Sequence, residues 1–300
     1  MDVLADLLDG VRARGAVFSR TIMSPPWSLR FTSGAPLTMG TMLRGRAWVV
    51  PVEGEPVPIR AGDIAVVRGR VPYTIADDPA TPPQAVIGSS DYCSWSEDTG
   101  GPAALLSGAF DGRGGVSGRL LEALPDVLVV KDTEGHRPML DLVAAEIAKG
   151  VPGQRVMLDR LLDLLLVSVL RTWFDQSGAH APAWYRAFQD PVVGTALRLL
   201  HDDPARPWTV ATLAGESGAS RASLARRFTA QVGEPPMTYL AGWRIALAAD
   251  LLAETDATVG SIARKVGYAN TFALSVAFKR VLGTTPTEHR ATAAARAPVR

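Results

Sequence analysis

The spacing of apolar residues divides the chain into two kinds of text. From about Ala16 to Phe110 it consists of short runs rich in Val, Ile, Trp and Thr: SLRFTS, TMGTML, RAWVVPV, EPVPIRAGDIAVVRG, VPYTIAD and PQAVIGSSDYCSW. Gly and Pro break these runs at short intervals. Short strands with regular turn signals predict a small β-sandwich or barrel. Before them, MDVLADLLDGV places Val3, Leu4, Leu7, Leu8 and Val11 on one side of an amphipathic helix. Asp2, Asp6 and Asp9, with no basic start, argue against a signal peptide. GRGG, at Gly112 to Gly115, reads as a flexible break without the basic ending of a phosphate-binding loop.

From Pro138 the period becomes helical. Leu140, Val143, Ala144 and Ile147 mark one helix, stopped between Gly150 and Gly153. A second is expected over about 155–176. Leu161, Leu162, Leu164, Leu165, Leu166, Val167, Val169 and Leu170 make its middle apolar on almost every face, so it must be covered all round. One side can pack on the β region. The other is read as a homodimer contact, with burial inside a single chain as the alternative. The run is about half of what a membrane span needs. SGAHAPAW, at 177–184, reads as a linker, and a further helical region opens at Asp190 and runs to about Arg290.

That last region holds the same device twice. TVATLAGESGASRASLARRFTAQVGEPP, from Thr209 to Pro236, matches TVGSIARKVGYANTFALSVAFKRVLGTTP, from Thr258 to Pro286. Thr209, Val210, Leu213, Ala214 and Gly218 align with Thr258, Val259, Ile262, Ala263 and Gly267. Leu224, Phe228, Val232, Gly233 and Pro236 align with Leu274, Phe278, Leu282, Gly283 and Pro286, one residue further on. The second copy therefore has one extra residue in its turn. A short helix, a glycine turn and a second helix is the helix-turn-helix layout, whose second helix enters the DNA major groove. The stretch between the copies predicts a helix over 237–254, marked by Leu240, Trp243, Ile245, Leu247, Leu251 and Leu252. Two readers held this way would enter successive major-groove segments of double-stranded DNA about one helical turn apart.

Ser220 and Asn270 are placed as N-caps of the two second helices. With Leu224, Phe228 and Val232 facing inward, the outer face of the first is Ala222, Ala225, Arg226 and Thr229. The matching face of the other is Phe272, Ser275, Val276 and Lys279. Arg221 and Thr271 lie in the first turns. Arg226 suits a bidentate contact to guanine, and Ser275 a base or a phosphate. Phe272 and Val276 can only touch thymine methyl groups, which predicts a second half-site read weakly with a preference for T. The alternative is that Phe272 folds inward against the preceding helix. Arg227 and Arg280 are read as reaching phosphates or surface carboxylates.

Composition adds limits rather than a function. The chain has 300 residues, 47% hydrophobic and 20% charged, the profile of a folded protein of about two domains. A net charge of +1 hides a division: residues 190–300 carry +4 and residues 1–189 carry −3. The basic excess sits with the repeated helices, as nucleic-acid binding requires, but it is modest. The single cysteine, Cys93, excludes an internal disulfide and a cysteine-based zinc site. It is either a redox reporter or a buried inert thiol. A cytoplasmic location is expected.

At the repeated residues the chain resembles the AraC/XylS family of bacterial transcription regulators, over roughly Asp190 to Arg290. IARKVGYANTFALSVAFKRVLGTTPTEHR is similar to that family's second-unit signature, with Gly267, Phe278, Gly283, Pro286 and Arg290 in the expected places. SGASRASLARRF and GEPP match the first unit. Val276 stands where many members have Arg, and Ala222 and Ala225 are small where some carry larger base readers. These departures bear on the operator sequence. The N-terminal part resembles the cupin-type sensor domain often joined to this unit. PVPIRAGDIAVVRGRVPYTIAD looks like a cupin strand–turn–strand with Gly62 and Asp63 at the turn.

Cupins of the wider fold bind metal through barrel histidines. Here the corresponding places hold Tyr73 and Met39 with Gly40, and the first histidine is His136. Neither metal nor other cofactor is expected. His136, His180, His201 and His289 read as surface or helix-end residues. A metal-free barrel can still hold a small-molecule effector. Trp27, Phe31, Met39, Trp48 and Tyr73 are the pocket candidates, or simply core.

The expected fold is α+β. A cupin-like β-barrel with dimerisation helices occupies residues 1–177, then a linker at 178–189. An all-α DNA-binding domain follows at 190–291, with helix-turn-helix units at about 209–232 and 258–282 joined by a linker helix, and a tail at 292–300. The function read from this is a sequence-specific DNA-binding transcription regulator, not an enzyme. The resemblance implies control by a small-molecule effector and an N-terminal domain that dimerises, and RNA polymerase is a further partner. Two other readings stand beside it: a metal-free cupin-like enzyme with a DNA-binding appendage, and a protein-interaction module with degenerate helix-turn-helix units. Absence of salt-dependent DNA binding would favour the second.

Overall fold

Strands form where the apolar runs lie, and glycines turn the chain between them. The computed structural model describes residues 11–12, 19–69, 71–88, 101–112, 116, 118, 121, 123–132, 135–177 and 183–296. Most of the expected N-terminal helix, Cys93 and His180 lie outside the described residues. Two units divide the chain: one contains Val11–Gly112 and Leu121–Ser177, the other contains residues 183–296.

The first unit has eleven described strands: β1 Val11–Arg12, β2 Ser19–Met23, β3 Ser28–Phe31, β4 Leu37–Arg44, β5 Arg46–Pro51, β6 Val57–Arg60, β7 Ile64–Arg68, β8 Tyr73–Ala76, β9 Ala85–Ile87, β10 Ala103–Gly112 and β11 Val127–Val130. The larger sheet runs β1-β10-β4-β7-β11, with β2 also paired to β10. The smaller runs β6-β5-β8-β3-β9. Their facing sides share one core of Trp27, Leu29, Phe31, Met42, Val49, Ile59, Val67, Tyr73, Ile75 and Leu105. The two sheets form a sandwich and do not close into the expected barrel among the described residues. A single bridge, Met42 to Ala61, adjoins β4 and the end of β6. Gly45, at φ +81°, turns β4 into β5, and a Cβ there would lie 2.8 Å from the Pro102 carbonyl oxygen.

At the expected Gly62–Asp63 turn, Gly62 has φ +90°. The Asp63 carboxylate is buried and accepts from the backbone N–H of Asp132 at 2.9 Å and of Arg60 at 3.1 Å, and from Lys131 Nζ at 3.1 Å. It joins the β6–β7 turn to the end of β11.

Two helices follow, α1 Arg137–Ile147 and α2 Gln154–Ser177. α2 touches β11 and β1, at opposite ends of the larger sheet, and so lies across that sheet's outer side. Leu37, Met39, Ile64, Val66, Leu106, Phe110, Leu128 and Val130 are buried on that side. The apolar middle of α2 divides as its circumference requires. Leu158, Leu162, Leu165, Leu166, Val169 and Leu170 are buried, while Val156, Met157 and Leu164 are more than half exposed. No helix among the described residues is long and apolar enough to cross a membrane.

The second unit is helical: α3 Ala183–Ala187, α4 Val193–Asp202, α5 Val210–Glu216, α6 Arg221–Val232, α7 Pro236–Glu254, α8 Val259–Lys265, α9 Thr271–Leu282 and α10 Pro286–Arg296. The expected linker is partly structured here. α3 packs on α6, and Ala187 is buried in the core that α4, α5 and α6 share. The last helix continues to Arg296, past the expected end at 291.

Candidate nucleic-acid interface

Both copies of the repeat fold by the same local chemistry. Thr209 and Thr258 cap α5 and α8, their side chains accepting from the backbone N–H of Thr212 and Ser261. Ser220 Oγ accepts from Ser223 N–H at 3.2 Å, and Asn270 Oδ1 from Ala273 N–H at 2.9 Å, so each starts its recognition helix. Gly233 and Gly283 end those helices in the left-handed region. Leu224, Phe228, Leu274 and Phe278 are fully buried. The two helix pairs pack in separate cores, which α7 joins. Tyr239 and Leu240 belong to the first core; Ile245, Ala248, Ala249 and Leu252 belong to the second. Arg290, on α10, closes the far end by donating to the carbonyls of Leu252 and Ala257.

The outer faces differ. On α6, Arg221, Ala222, Arg226 and Thr229 are exposed and Ala225 is half-buried. On α9, Thr271, Phe272, Val276 and Lys279 are exposed and Ser275 is half-buried. Phe272 is 78% exposed and Val276 54%, so Phe272 does not fold inward against α8. Phe272 and Val276, four residues apart, thus form an exposed apolar pair on this face. Ser275 spends its proton on the Thr271 carbonyl at 2.8 Å. Its lone pairs are left free to accept.

Two adjacent arginines have different surroundings. Arg227 is held: its Nη2 lies 2.6 Å from Asp190 Oδ2, and Gln231 Nε2 donates to the same oxygen at 2.7 Å. Asp190 Oδ1 accepts from the backbone N–H of Val192 and Val193, both at 2.9 Å, at the start of α4. One carboxylate thus caps one helix and anchors the recognition helix of the first copy. Partial burial pushes the Asp190 carboxyl up, but hydrogen bonds from Gln231, the Val193 amide, Arg227 and the Val192 amide outweigh it and hold the group well below the usual carboxylate range. The expectation that Arg227 reaches a phosphate or a surface carboxylate resolves to the carboxylate. Arg226, one residue earlier, is exposed and has no partner among the described residues. Asp190 and Gln231 were missed by sequence reasoning. Asp190-Pro191 is a turn-initiating pair, but nothing in it names a partner 37 residues away.

The pocket candidates fall in three places. Trp27, Phe31 and Tyr73 share the sandwich core, where the Phe31 and Tyr73 rings stack at 4.9 Å and 6°. Met39 is buried on the opposite side of its sheet, toward the helix layer, because Gly40 beside it faces Ile75 and Leu105. Trp48 lies between the core residues Ala47 and Val49 and so faces away from that core, half-buried. Among the described residues no group of three or more His, Cys, Asp or Glu is placed to hold a metal ion. His136 and His201 do lie at helix ends, as the N-cap of α1 and in the last turn of α4, but both are buried rather than on the surface. His201 Nε2 is 2.8 Å from the Tyr239 hydroxyl, and its ring packs 4.0 Å from that of Trp243, so the apolar body is covered and a polar atom is partnered.

Comparison with known proteins agrees with both halves. Residues 2–175 match the cupin family model, and residues 213–292 match a helix-turn-helix domain model. A Streptomyces lividans protein named as an AraC-like transcription regulator is 34% identical, over 97% of this chain and 98% of its own. A Streptomyces antibioticus protein of the same name is 32% identical with the same coverage. Among solved structures, the DNA-binding domain of the global transcriptional factor AdpA, in complex with a target DNA, is 32% identical. It covers 37% of this chain and 99% of that one, with a TM-score of 0.35. A doubled helix-turn-helix with a cupin half before it, and relatives matched along nearly their whole length, leave one assignment: this chain belongs to the AraC-like family of transcription regulators.

Proposed function

We propose that the chain regulates transcription by binding double-stranded DNA with α6 and α9 in successive major-groove segments, under control of a small molecule held by the β-sandwich unit. The observation that carries this reading is the exposure of Arg226, Phe272 and Val276 on recognition helices whose opposite sides are fully buried. Arg226 is the guanine reader of the first segment. Phe272 and Val276 contact thymine methyl groups in the second, and Ser275 accepts from a base amino group. Ser220, Arg221, Ala222, Ala225, Thr229, Asn270, Thr271 and Lys279 complete the surface, with cap and first-turn positions against phosphate.

The exposed stripe of Val156, Met157 and Leu164 on α2 supports pairing of two chains. An effector would act through different affinities for two arrangements of the pair. The place of work is the cytoplasm, with RNA polymerase as the downstream partner.

Selection of duplexes from a randomised library tests the reading. The expected product is two conserved segments about one helical turn apart, bound with an affinity that falls steeply with salt. Enrichment of no sequence, or binding indifferent to salt, would overturn it. Sedimentation of the full chain, with and without Leu164→Asp, tests the pairing.

A further inference from the structure

The turn glycines of the two copies are equivalent in sequence and unlike in surroundings. Gly218 has φ +68°, and a Cβ on it would meet nothing within 4 Å. Gly267 has φ +86°, and a Cβ there would lie 2.7 Å from the Ala205 carbonyl oxygen, 2.8 Å from Ala205 Cα and 2.8 Å from Arg244 Nη2. The turn of the second copy is therefore seated against the loop that leads into the first.

Arg244 holds that seat. It sits on α7 between Leu240, which packs in the first core, and Ile245, which packs in the second. Its Nε donates to the Pro204 carbonyl at 2.7 Å and its Nη2 to the Arg206 carbonyl at 2.8 Å. Its guanidinium carbon lies 5.9 Å from the centre of the Tyr268 ring, next to Gly267. The loop it grips is itself fixed. Trp208 Nε1 donates to the Asp203 carbonyl at 2.8 Å, Arg206 lies 4.1 Å over the Trp208 ring, and the Arg206 side chain pairs with Glu216 on α5. A planar fork suits this place because it can bond two carbonyls at once and still lie against an aromatic ring.

We propose that Arg244 is a positioning residue that locks the two helix-turn-helix units into one rigid reading head, so that the spacing between the two DNA segments is itself recognised. α7 alone would allow bending and twisting between the cores. The Arg244 fork and the close seat of Gly267 on Ala205 give the second unit a support away from the helix axis, which removes that freedom. Touching no base, Arg244 thereby sets how strictly the distance between bases is measured.

The test uses the full chain with Cys93→Ser and spin labels at Ala230→Cys and Val281→Cys, both exposed near the ends of α6 and α9. Without DNA, the parent should give one narrow distance distribution. Arg244→Ala should broaden or shift it with the helical circular dichroism unchanged; superimposable distributions would overturn the proposal. If Arg244→Ala does not fold, Arg244→Lys, which keeps the charge and loses the fork, serves the same comparison. A second arm rests on the DNA-binding reading. A duplex enriched by the parent is lengthened by two base pairs between its segments, a rotation of about 70°. The parent should lose about 100-fold in affinity and Arg244→Ala less than about tenfold, on the scale of one disrupted base contact. Equal losses would overturn the clamp. If the parent enriches no duplex, the DNA-binding reading fails and the label distance still decides the clamp.

Discussion

The two copies of the repeat are the same below and different above. Their cores are built on corresponding residues, with Leu224 and Phe228 answering Leu274 and Phe278. Their first helices are both capped by threonine, their recognition helices by a serine hydroxyl and an asparagine amide oxygen, and both recognition helices end on a left-handed glycine. Above that floor, α6 presents Arg226 and is anchored from behind by Asp190, whereas α9 presents Phe272 and Val276. On the proposed reading, the difference teaches that fold and readout are specified by separate positions of one helix. The positions at i and i+4 keep each copy folded; the third, at i+8, diverges, Val232 packing on the first core while Leu282 is 41% exposed.

The largest effect should come from the floor. Phe228→Ala and Phe278→Ala should each cost about 3–5 kcal/mol in urea denaturation of the chain. Similar costs would support equivalent cores; a cost below about 1 kcal/mol in one copy would break the equivalence. Next comes Arg226→Ala. It should remove about 1–3 kcal/mol of discrimination at a guanine in the first segment and leave the second segment's preference intact, read by repeating the duplex selection. A loss spread over both segments would show that the two faces are not independent readers.

The apolar face gives a smaller and more specific signal. Deoxyuridine in place of thymine in the second segment removes only a methyl group, and each should cost about 0.8 kcal/mol of binding. The same replacement should have no effect in Phe272→Ala, Val276→Ala protein, and a thymine methyl that counts equally in both proteins would reject this reading. The smallest effect concerns Asp190. Its carboxyl is depressed in the folded chain, so its contribution is present above the ordinary carboxylate pKa, about 3.9, and is lost as pH falls below it. Asp190→Asn should lower the melting temperature near pH 7 and narrow the difference from the parent near pH 3. An unchanged gap at both pH values would remove the charge from the account.

Much of this was legible in the sequence because it is local. The repeat, the caps at Ser220 and Asn270 and the outward-facing residues follow from helical period and turn chemistry. What was not legible is long-range. Asp190 meets Arg227 and Gln231 only because α4 packs on α6, and Arg244 meets Pro204 and Arg206 across forty residues. In the sandwich, β4 is buried on both sides, one against the smaller sheet and one toward the helices, so alternation cannot say which side Met39 takes. The barrel expectation failed to close for a related reason: strand content fixes neither sheet partition nor closure. The linker expected at 178–189 contains α3, whose five residues are too few to show a helical period although Ala187 is buried.

The length of α7 carries a consequence for how such a protein can change. With 19 residues the helix is about 28 Å long. One inserted residue would turn the second reader by about 100° and advance it about 1.5 Å. Three extra base pairs would restore that rotation, but they would advance the target by about 10 Å. No small step in the operator can therefore answer a small step in the helix. On the proposed reading, side chains on α6 and α9 can change the bases read one at a time, whereas the spacing between the two readers cannot change in small steps.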